Sequence, residues 1–182
     1  MIDEATAIER TRRWIADMVI GLNLCPFARR VFEGGLIHYT FTPVAEPEAL
    51  REVLSDELVR LAATPIEEVE TAFVIHPFAL TDFLDFNDFV VSADDLIEEV
   101  GLRGVIQIAT FHPEYRFAKT RADDVANYTN RSPFPMLHLL REDSITAVND
   151  DPEKLEEIPR RNIETLRRLG LKKVREMLGD TP

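Results

Sequence analysis

The sequence predicts an α/β fold, a single domain over residues 1–182 with a small, mostly parallel sheet of three or four strands and helices on its faces. Strand-like apolar segments are separated by longer segments with helical spacing, and parallel strands need such helical crossovers. The 182 residues are 45% hydrophobic and 30% charged, which is typical of one globular domain. A ferredoxin-like α+β arrangement with an antiparallel pair is the alternative.

Helices are predicted from apolar residues at helical spacing and from residues that favour helix ends. The predicted helices run from Asp3 to about Ile20, from Pro26 to Phe32, from Pro47 to Thr64, from Thr81 to about Val100, and from Pro152 onward. Proline is favoured at the first helical position, so Cys25 is the predicted N-cap residue of the second helix. The last helical region has candidate breaks near Pro159 and Gly170.

Three strands are predicted, at Leu36–Thr42, Thr71–Ile75 and Val105–Phe111. The second and third are each followed by a His-Pro pair, at His76 and His112. We expect these two strands to be parallel neighbours, because a helix long enough for a crossover lies between them. Both imidazoles would then lie at the carboxyl edge of the sheet, where open α/β sheets bind ligands.

A long polar segment follows the second His-Pro pair and reaches Glu142 without the pattern of a clear helix or strand. Connections of this length are uncommon in compact domains and are more often functional. Guanidinium groups bind carboxylate or phosphate, and Asn and Ser add orientable hydrogen bonds. We therefore predict a site for a small anionic molecule beside His112. Its predicted substrate-binding residues are Tyr115, Asn127, Asn130, Arg131, Ser132 and Arg141.

The same segment has a structural interpretation. Arg131 could pair with Asp123 or Asp124 and hold the loop together. Asn and Ser before proline are also ordinary turn residues. Both interpretations stay open at the level of the sequence.

The predicted catalytic residues are Cys25, His76, His112 and His138. A thiol at a helix N-terminus, with Arg29 one turn away, would favour the thiolate, and a histidine could serve as its base or acid. The alternative is a core cysteine, since free cysteine is among the most buried residue types.

A metal site made by the three histidines with Glu142 or Cys25 is an alternative interpretation, and on a helix His138 and Glu142 would share a face. The spacings match no zinc signature, and strand-end histidines often bond to backbone, so no metal ligand is predicted. The motifs point to no particular cofactor.

The net charge of -12 argues against nucleic-acid binding, which needs a basic face. The single cysteine excludes an internal disulfide and suits a reducing compartment. The chain has no apolar run long enough to span a membrane, and its first residues do not resemble a signal peptide. We expect a cytoplasmic protein with no membrane partner.

Four pieces of the chain carry a resemblance to a known family. They are Leu22-Asn23-Leu24-Cys25-Pro26-Phe27, Gln107-Ile108-Ala109-Thr110-Phe111-His112-Pro113, Tyr128-Thr129-Asn130-Arg131-Ser132-Pro133 and Pro135-Met136-Leu137-His138-Leu139-Leu140-Arg141-Glu142. With them the chain resembles the uncharacterised family catalogued as domain of unknown function 1415. The resemblance covers nearly the whole chain and implies a soluble bacterial or plastid protein of this size. It marks these positions without implying a reaction.

Two classes of function follow from these observations. The first is a small enzyme acting on an anionic carboxylate or phosphate metabolite, with histidine as acid or base and Cys25 as a possible nucleophile. The second is a non-catalytic binding or assembly module whose polar loop is structural. A pocket lined by both His-Pro histidines and Arg131 would favour the first, and internally satisfied polar groups would favour the second.

Overall fold

The structure is a computed structural model and describes residues 2–147 and 152–179. Over these residues it has seven α-helices and four strands. The helices are α1 (Glu4–Trp14), α2 (Ala28–Glu33), α3 (Pro47–Ala63), α4 (Phe83–Glu99), α5 (Glu142–Ala147), α6 (Pro152–Leu169) and α7 (Leu171–Leu178). The strands are β1 (Ile37–Phe41), β2 (Thr71–Ile75), β3 (Ile106–Phe111) and β4 (Met136–Arg141). A π-helical turn (Ile15–Ile20) continues α1, and a 3₁₀ helix (Val125–Thr129) precedes β4.

The four strands form one sheet in the order β1-β2-β4-β3. The pair β1–β2 is parallel, and β4 is antiparallel to both β2 and β3. The α/β class is therefore confirmed, and three of the four described strands run in the same direction. However, β1–β2 is the one parallel pairing in the described sheet.

The prediction that the two His-Pro strands are neighbours is wrong, because β4 lies between β2 and β3. In the sequence β4 lies within the long polar segment, where no strand is predicted. Both His-Pro strands are antiparallel to β4, so they still run in the same direction and end at the same edge of the sheet. The predicted shared edge is therefore correct, although the predicted adjacency is not.

Helices cover both faces of the sheet, as the sequence predicts. On one face α3 and α4 pack against alternate residues of the strands, among them Ala72, Val74, Leu137 and Leu139. On the other face α1, its π-helical turn, α6 and α7 pack around a second core. This second core contains Ala7, Trp14, Ile15, Met18, Leu24, Phe73, Ile75, Tyr128, Phe134, Met136, Leu166, Val174 and Leu178.

Several helix ends agree with the signals in the sequence. The carboxylate of Asp3 accepts from the N–H of Thr6 at 2.8 Å, and Asp82 caps α4 in the same way. Gly170, with a φ of 82°, separates α6 from α7, whereas α6 continues through Pro159. In the described residues no helix combines the length and apolar character that crossing a membrane requires.

Two local predictions near the predicted site residues are corrected. The helix α2 begins at Ala28 with Phe27 as its N-cap residue, so Cys25 lies in the turn before it. His138 and Glu142 do not share a helical face, because His138 is a strand residue of β4 and Glu142 begins α5.

Candidate functional site

The two His-Pro histidines lie at the carboxyl ends of β2 and β3 and support the turn that leads into α4. Nδ1 of His76 donates to the carbonyl of Ala79 at 3.1 Å, and Nε2 of His112 donates to the carbonyl of Leu80 at 3.1 Å. Leu80 has a φ of 53°, a left-handed conformation that bulky residues rarely adopt. The two histidines of the His-Pro pairs thus hold one strained turn in place.

Both of these side chains are completely buried. Nδ1 of His112 accepts from the N–H of Glu114 at 3.0 Å, so both of its ring nitrogens are in use. Nε2 of His76 is buried without a hydrogen-bond partner. Burial lowers the pKa of His112 and lowers the pKa of His76 to about 4, which keeps both imidazoles neutral at pH 7.

The polar side chains of the long loop are largely satisfied within the loop. The side-chain oxygen of Asn127 accepts from the N–H of Phe117 at 3.1 Å and from the hydroxyl of Thr120 at 2.8 Å. Its nitrogen donates to the carbonyl of Arg121 at 2.8 Å. Asn127 therefore closes the loop on itself.

Asn130 and Ser132, two further predicted substrate-binding residues, also form hydrogen bonds with backbone carbonyl groups. Nδ2 of Asn130 donates to the carbonyl of Thr110 at 3.3 Å. The buried hydroxyl of Ser132 donates to the carbonyl of Phe134 at 2.6 Å. These bonds attach the loop to the end of β3 and turn the chain into β4.

Arg131 makes its hydrogen bonds with carbonyl groups of the loop. Nε donates to the carbonyl of Tyr115 at 3.2 Å, and Nη2 donates to that of Ala122 at 2.8 Å. The guanidinium lies 4.4 Å from the ring centroid of Tyr128, a cation–π contact. This arrangement supports the structural interpretation, with carbonyl groups as the partners in place of the expected carboxylates.

Tyr115 packs its ring against Phe83 and Phe117, at centroid distances of 5.2 Å and 5.0 Å. Burial raises the pKa of its hydroxyl. The ring thus belongs to an aromatic contact under the loop.

The structure does not bring Arg141 to the other predicted anion ligands. Arg141 pairs in register with Ile106 at the amino end of β3, whereas Arg131 precedes the opposite end of β4. With about 3.3 Å per strand residue, the length of β4 separates them. Nη2 of Arg141 is directed at the carbonyls of Leu61, Thr64 and Val69, at 2.6, 2.6 and 3.3 Å.

A cavity of about 300 Å³ lies between the α1 face of the sheet and the segments that cover it. It is partly enclosed and mostly apolar, and it contains two of the predicted catalytic residues, Cys25 and His138. Two larger surface grooves border α1, but neither contains a predicted site residue. The cavity is lined by Trp14, Ile15, Val19, Cys25, Phe27, Ala28, Val31, Ile37, Glu70, Thr71, Phe73, Ala109, Phe111, His138, Leu140, Arg141, Ser144 and Ile145.

His138 lies in the middle of the sheet, paired with Phe73 on β2 and with Ala109 on β3. Its ring stacks on Phe73 with a centroid distance of 3.9 Å. Nε2 donates to the hydroxyl of Thr71 at 2.7 Å, and that hydroxyl donates to the carbonyl of Leu139 at 2.5 Å. Nδ1 is thereby left as the unprotonated nitrogen, and burial lowers the pKa of His138 to about 3.

Cys25 reaches the cavity from the turn before α2 and is a free, half-buried thiol. Burial raises the pKa of this thiol, and this effect exceeds the opposing effects of the N–H groups of Phe27 and Ala28 and of the charge of Arg161. The raised pKa argues against a readily formed thiolate, and the reactivity of Cys25 stays a prediction.

Two polar atoms of residues that line the cavity are buried without a partner, Nε of Arg141 and the hydroxyl of Ser144. Within the described residues, Arg141 has no carboxylate partner. The nearby carboxylate of Glu70 is bound by Arg30. Arg141 shares the face of β4 that carries Leu137 and Leu139, so its guanidinium lies on the α3 side of the sheet with the carbonyls of Leu61 and Thr64.

Comparison of the sequence with known families gives one match. The sequence model of the family described as a protein of unknown function, DUF1415, matches residues 6–176. The chain belongs to the DUF1415 family. No curated protein and no solved structure matches it.

In this DUF1415 protein, sequence reasoning missed Thr71 and Ser144 as members of the site. Thr71 begins a fully buried strand, and a hydroxyl in such a strand needs a partner, which was an available signal. Ser144 belongs to α5, which was not predicted as a helix. Its position in the cavity depends on a tertiary contact that the local sequence does not encode.

The described part of the DUF1415 chain contains no group of three or more His, Cys, Asp and Glu residues that could hold a metal ion. His76 and His112 lie at the carboxyl edge, whereas His138 and Cys25 line the cavity on one face. These four residues are therefore divided between two places in the fold.

Proposed function

We propose that this DUF1415 protein binds a small molecule with an apolar body in the cavity between the sheet and the π-helical turn. The observation that carries the proposal is the cavity itself, with a volume of about 300 Å³ and mostly apolar walls. Small-molecule sites typically have volumes of about 300–1,000 Å³ and a few placed polar groups. The loop at the carboxyl edge offers a weaker case, since its polar groups bond within the protein.

The wall formed by the π-helical turn adds support. Ile15 and Val19 of this turn line the cavity, and π-helical turns inside α-helices occur frequently at functional sites. The pKa of Cys25 is raised and that of His138 is lowered to about 3, so both groups are neutral at pH 7. Neutral groups in an apolar cavity suit a ligand with an apolar body.

Ligand binding can be measured through Trp14, the single tryptophan of the chain, which lines the cavity. A ligand at about one hundred times its Kd should change Trp14 fluorescence and raise the melting temperature by roughly 5 to 10 °C. Ala109→Leu should reduce both effects because Ala109 also lines the cavity. Ala63→Leu, at an exposed end of α3, is the matched control.

Two outcomes would contradict the proposal. The first is a panel of small apolar molecules that leaves both the fluorescence and the melting temperature of the wild type unchanged. The second is a ligand that Ala109→Leu and Ala63→Leu bind as tightly as the wild type.

Catalysis by Cys25 is a second candidate function, and the hydrogen-bond chain from His138 through Thr71 to Leu139 favours it. A base held in one orientation by a third group is a feature of covalent catalysis. In this reaction the thiol proton moves to Nδ1 of His138 and the sulfur bonds to an acyl carbon. The leaving group departs with the proton from His138, and water then hydrolyses the thioester, which restores the thiol. The pKa directions make this proton transfer unfavourable, which is why binding is the first candidate.

The catalytic candidate is tested with an activated ester such as p-nitrophenyl octanoate. Mass spectrometry should detect an acyl group on the wild type, none on Cys25→Ala, and slower acylation of His138→Gln. Equal acylation of the wild type and Cys25→Ala would exclude Cys25 as the nucleophile.

We propose the cytoplasm as the site of action, since a free thiol suits a reducing compartment.

A further inference from the structure

We infer that the ligand of this cavity is a neutral hydroxyl compound, an alcohol or a phenol, whose hydroxyl group donates a hydrogen bond to Nδ1 of His138. Its apolar body lies against the apolar walls, among them Trp14 and Phe111. This inference rests on the proposed function and specifies the chemical class of the ligand. It follows from a hydrogen-bond acceptor that the fold leaves unused beside a mostly apolar space.

The first step places the imidazole of His138 beside the cavity. His138 shares a face of the sheet with its register partner Phe73, whereas Leu137 and Leu139 lie on the α3 side. One side of the imidazole ring is covered by Phe73, at a centroid distance of 3.9 Å. The register partner on β3 is Ala109, which lines the cavity and has only a methyl group as its side chain. The small side chain leaves room next to the imidazole.

The second step identifies the free atom of this ring. Nε2 donates to the hydroxyl of Thr71, whose single hydrogen is donated to the carbonyl of Leu139. Nδ1 is therefore the acceptor nitrogen of the neutral ring. No described residue donates a hydrogen bond to Nδ1, and this atom is not fully buried. A donor in the cavity would give Nδ1 the partner that acceptors inside proteins normally have.

The third step concerns the charge of the ligand. The carboxylate of Glu70 is bound by Arg30, and the guanidinium of Arg141 lies on the α3 side of the sheet. Among the described residues that line the cavity, no cation is thus available to a carboxylate or phosphate, and an unpaired buried charge is costly. An ammonium group could donate to Nδ1, but it would bury its charge and further donors without partners. A neutral donor fits best.

The fourth step concerns the size of the ligand and its number of polar groups. A volume of about 300 Å³ corresponds to roughly ten water-sized groups. A single acceptor nitrogen can satisfy a single hydroxyl hydrogen. An alcohol with a medium-length alkyl chain, or a simple phenol, meets both conditions. A sugar of similar size does not, because most of its hydroxyl groups would be buried without partners.

The test compares 1-octanol with heptyl methyl ether and with octanoate. The ether is an isomer of octanol that can accept a hydrogen bond but cannot donate one. Affinities are measured by calorimetry and by Trp14 fluorescence. Octanol should bind the wild type about three- to tenfold more tightly than the ether, because only octanol can bond to Nδ1. Octanoate should bind at least about tenfold more weakly than octanol, because its charge has no partner in the cavity.

Two histidine variants test the role of Nδ1 through the ratio of the octanol and ether affinities. His138→Phe keeps an aromatic ring on Phe73 and removes the acceptor, so octanol should lose its advantage over the ether. His38→Phe is the matched control at a half-exposed position of β1 outside the cavity, and it should keep the wild-type ratio. ¹⁵N NMR of the wild type gives a result that depends on no variant. Octanol should shift the Nδ1 resonance of His138, and the ether should leave it unchanged.

The outcomes separate this inference from the proposal on which it rests. Equal or tighter binding of the ether, tighter binding of octanoate, or an octanol advantage that persists in His138→Phe would overturn the assignment of a hydroxyl ligand. Each of these results would leave the binding function intact. Failure of all three compounds, together with failure of neutral apolar molecules, would overturn both.

Discussion

His138 of β4 and Thr71 of β2 form a diagonal pair across the antiparallel strands, two residues from the register partner Phe73, and the imidazole Nε2 donates to the threonine hydroxyl at 2.7 Å. The same hydroxyl donates to the carbonyl of Leu139. A hydroxyl has one hydrogen, so this second bond requires the first one to come from the imidazole. The tautomer of His138, and the nitrogen that it presents as an acceptor, are therefore fixed by a residue at the start of another strand.

Thr71→Val should destabilise the protein by about 1–3 kcal/mol, because it leaves the buried N–H of His138 and the carbonyl of Leu139 without this partner. Valine has nearly the same shape as threonine, so little packing is lost. Thr71→Ser keeps the hydroxyl and should recover part of the stability. The measurement is urea denaturation, and equal stability of Thr71→Val and the wild type would disprove the role given to the hydroxyl.

Stability should fall as the pH falls below about 6.5, the ordinary pKa of histidine. Burial lowers the pKa of His76 to about 4 and that of His138 to about 3, so the unfolded chain binds protons in this range that the folded chain does not. The stability contribution is complete only well above pH 6.5 and is lost as the pH falls towards about 4 for His76 and about 3 for His138. Between pH 6.5 and pH 5, each of the two histidines should lower the free energy of unfolding by about 2 kcal/mol.

Urea denaturation at a series of pH values measures this effect. His138→Gln should reduce the slope of stability against pH, even if it lowers stability at every pH. His38→Gln, at a half-exposed position of β1, is the comparison and should change the slope less. A slope that His138→Gln leaves unchanged would show that His138 is already protonated in the folded protein or titrates normally.

Arg131→Lys should destabilise the protein by about 1–2 kcal/mol without any ligand, because lysine cannot reproduce both carbonyl bonds and the contact with Tyr128. The loop should also become more sensitive to limited proteolysis. Arg121→Lys, at an exposed position of the same loop, is the control. An anion that stabilises the wild type but not Arg131→Lys would instead support the anion site expected from the sequence.

Alkylation of Cys25 by iodoacetamide should be slow and should follow an apparent pKa above the free value of about 8.5, since burial raises the pKa of the thiol. A ligand of the cavity should slow the reaction further, because Cys25 lines it. Cys25→Ala removes the only thiol and gives the background. Rapid alkylation at pH 7 would mean that the thiol is exposed or ionised.

Much of the fold follows from local patterns, as the first helix shows. Asp3, the apolar spacing and Gly21 predict a helical segment that the structure has between Glu4 and Ile20. The segment Met136–Arg141 was missed because it follows two prolines and a long polar loop, and its pairing partners are distant in sequence. Local sequence sets the tendency to form a strand but not the neighbours of that strand.

The candidate site was harder to predict for the same reason. Arg131 and Arg141 lie in one segment of the sequence. The residue type alone does not show whether other groups of the protein accept hydrogen bonds from each guanidinium. In the structure, loop carbonyls take the donors of Arg131, while Arg141 keeps an unpaired Nε. The cavity brings together residues from Trp14 to Ile145, so its existence depends on tertiary packing.

The strand order β1-β2-β4-β3 has a consequence for the growing chain. During synthesis β1, β2 and β3 are complete before β4 exists, yet β4 is the one strand that pairs with β3 in the described sheet and the partner of the β2 edge that β1 does not cover. Until residue 141 leaves the ribosome, two apolar strands have unpaired backbone edges, which are the parts of a nascent protein most prone to aggregate. Chains that stop before Met136 should therefore accumulate in the insoluble fraction or require a chaperone.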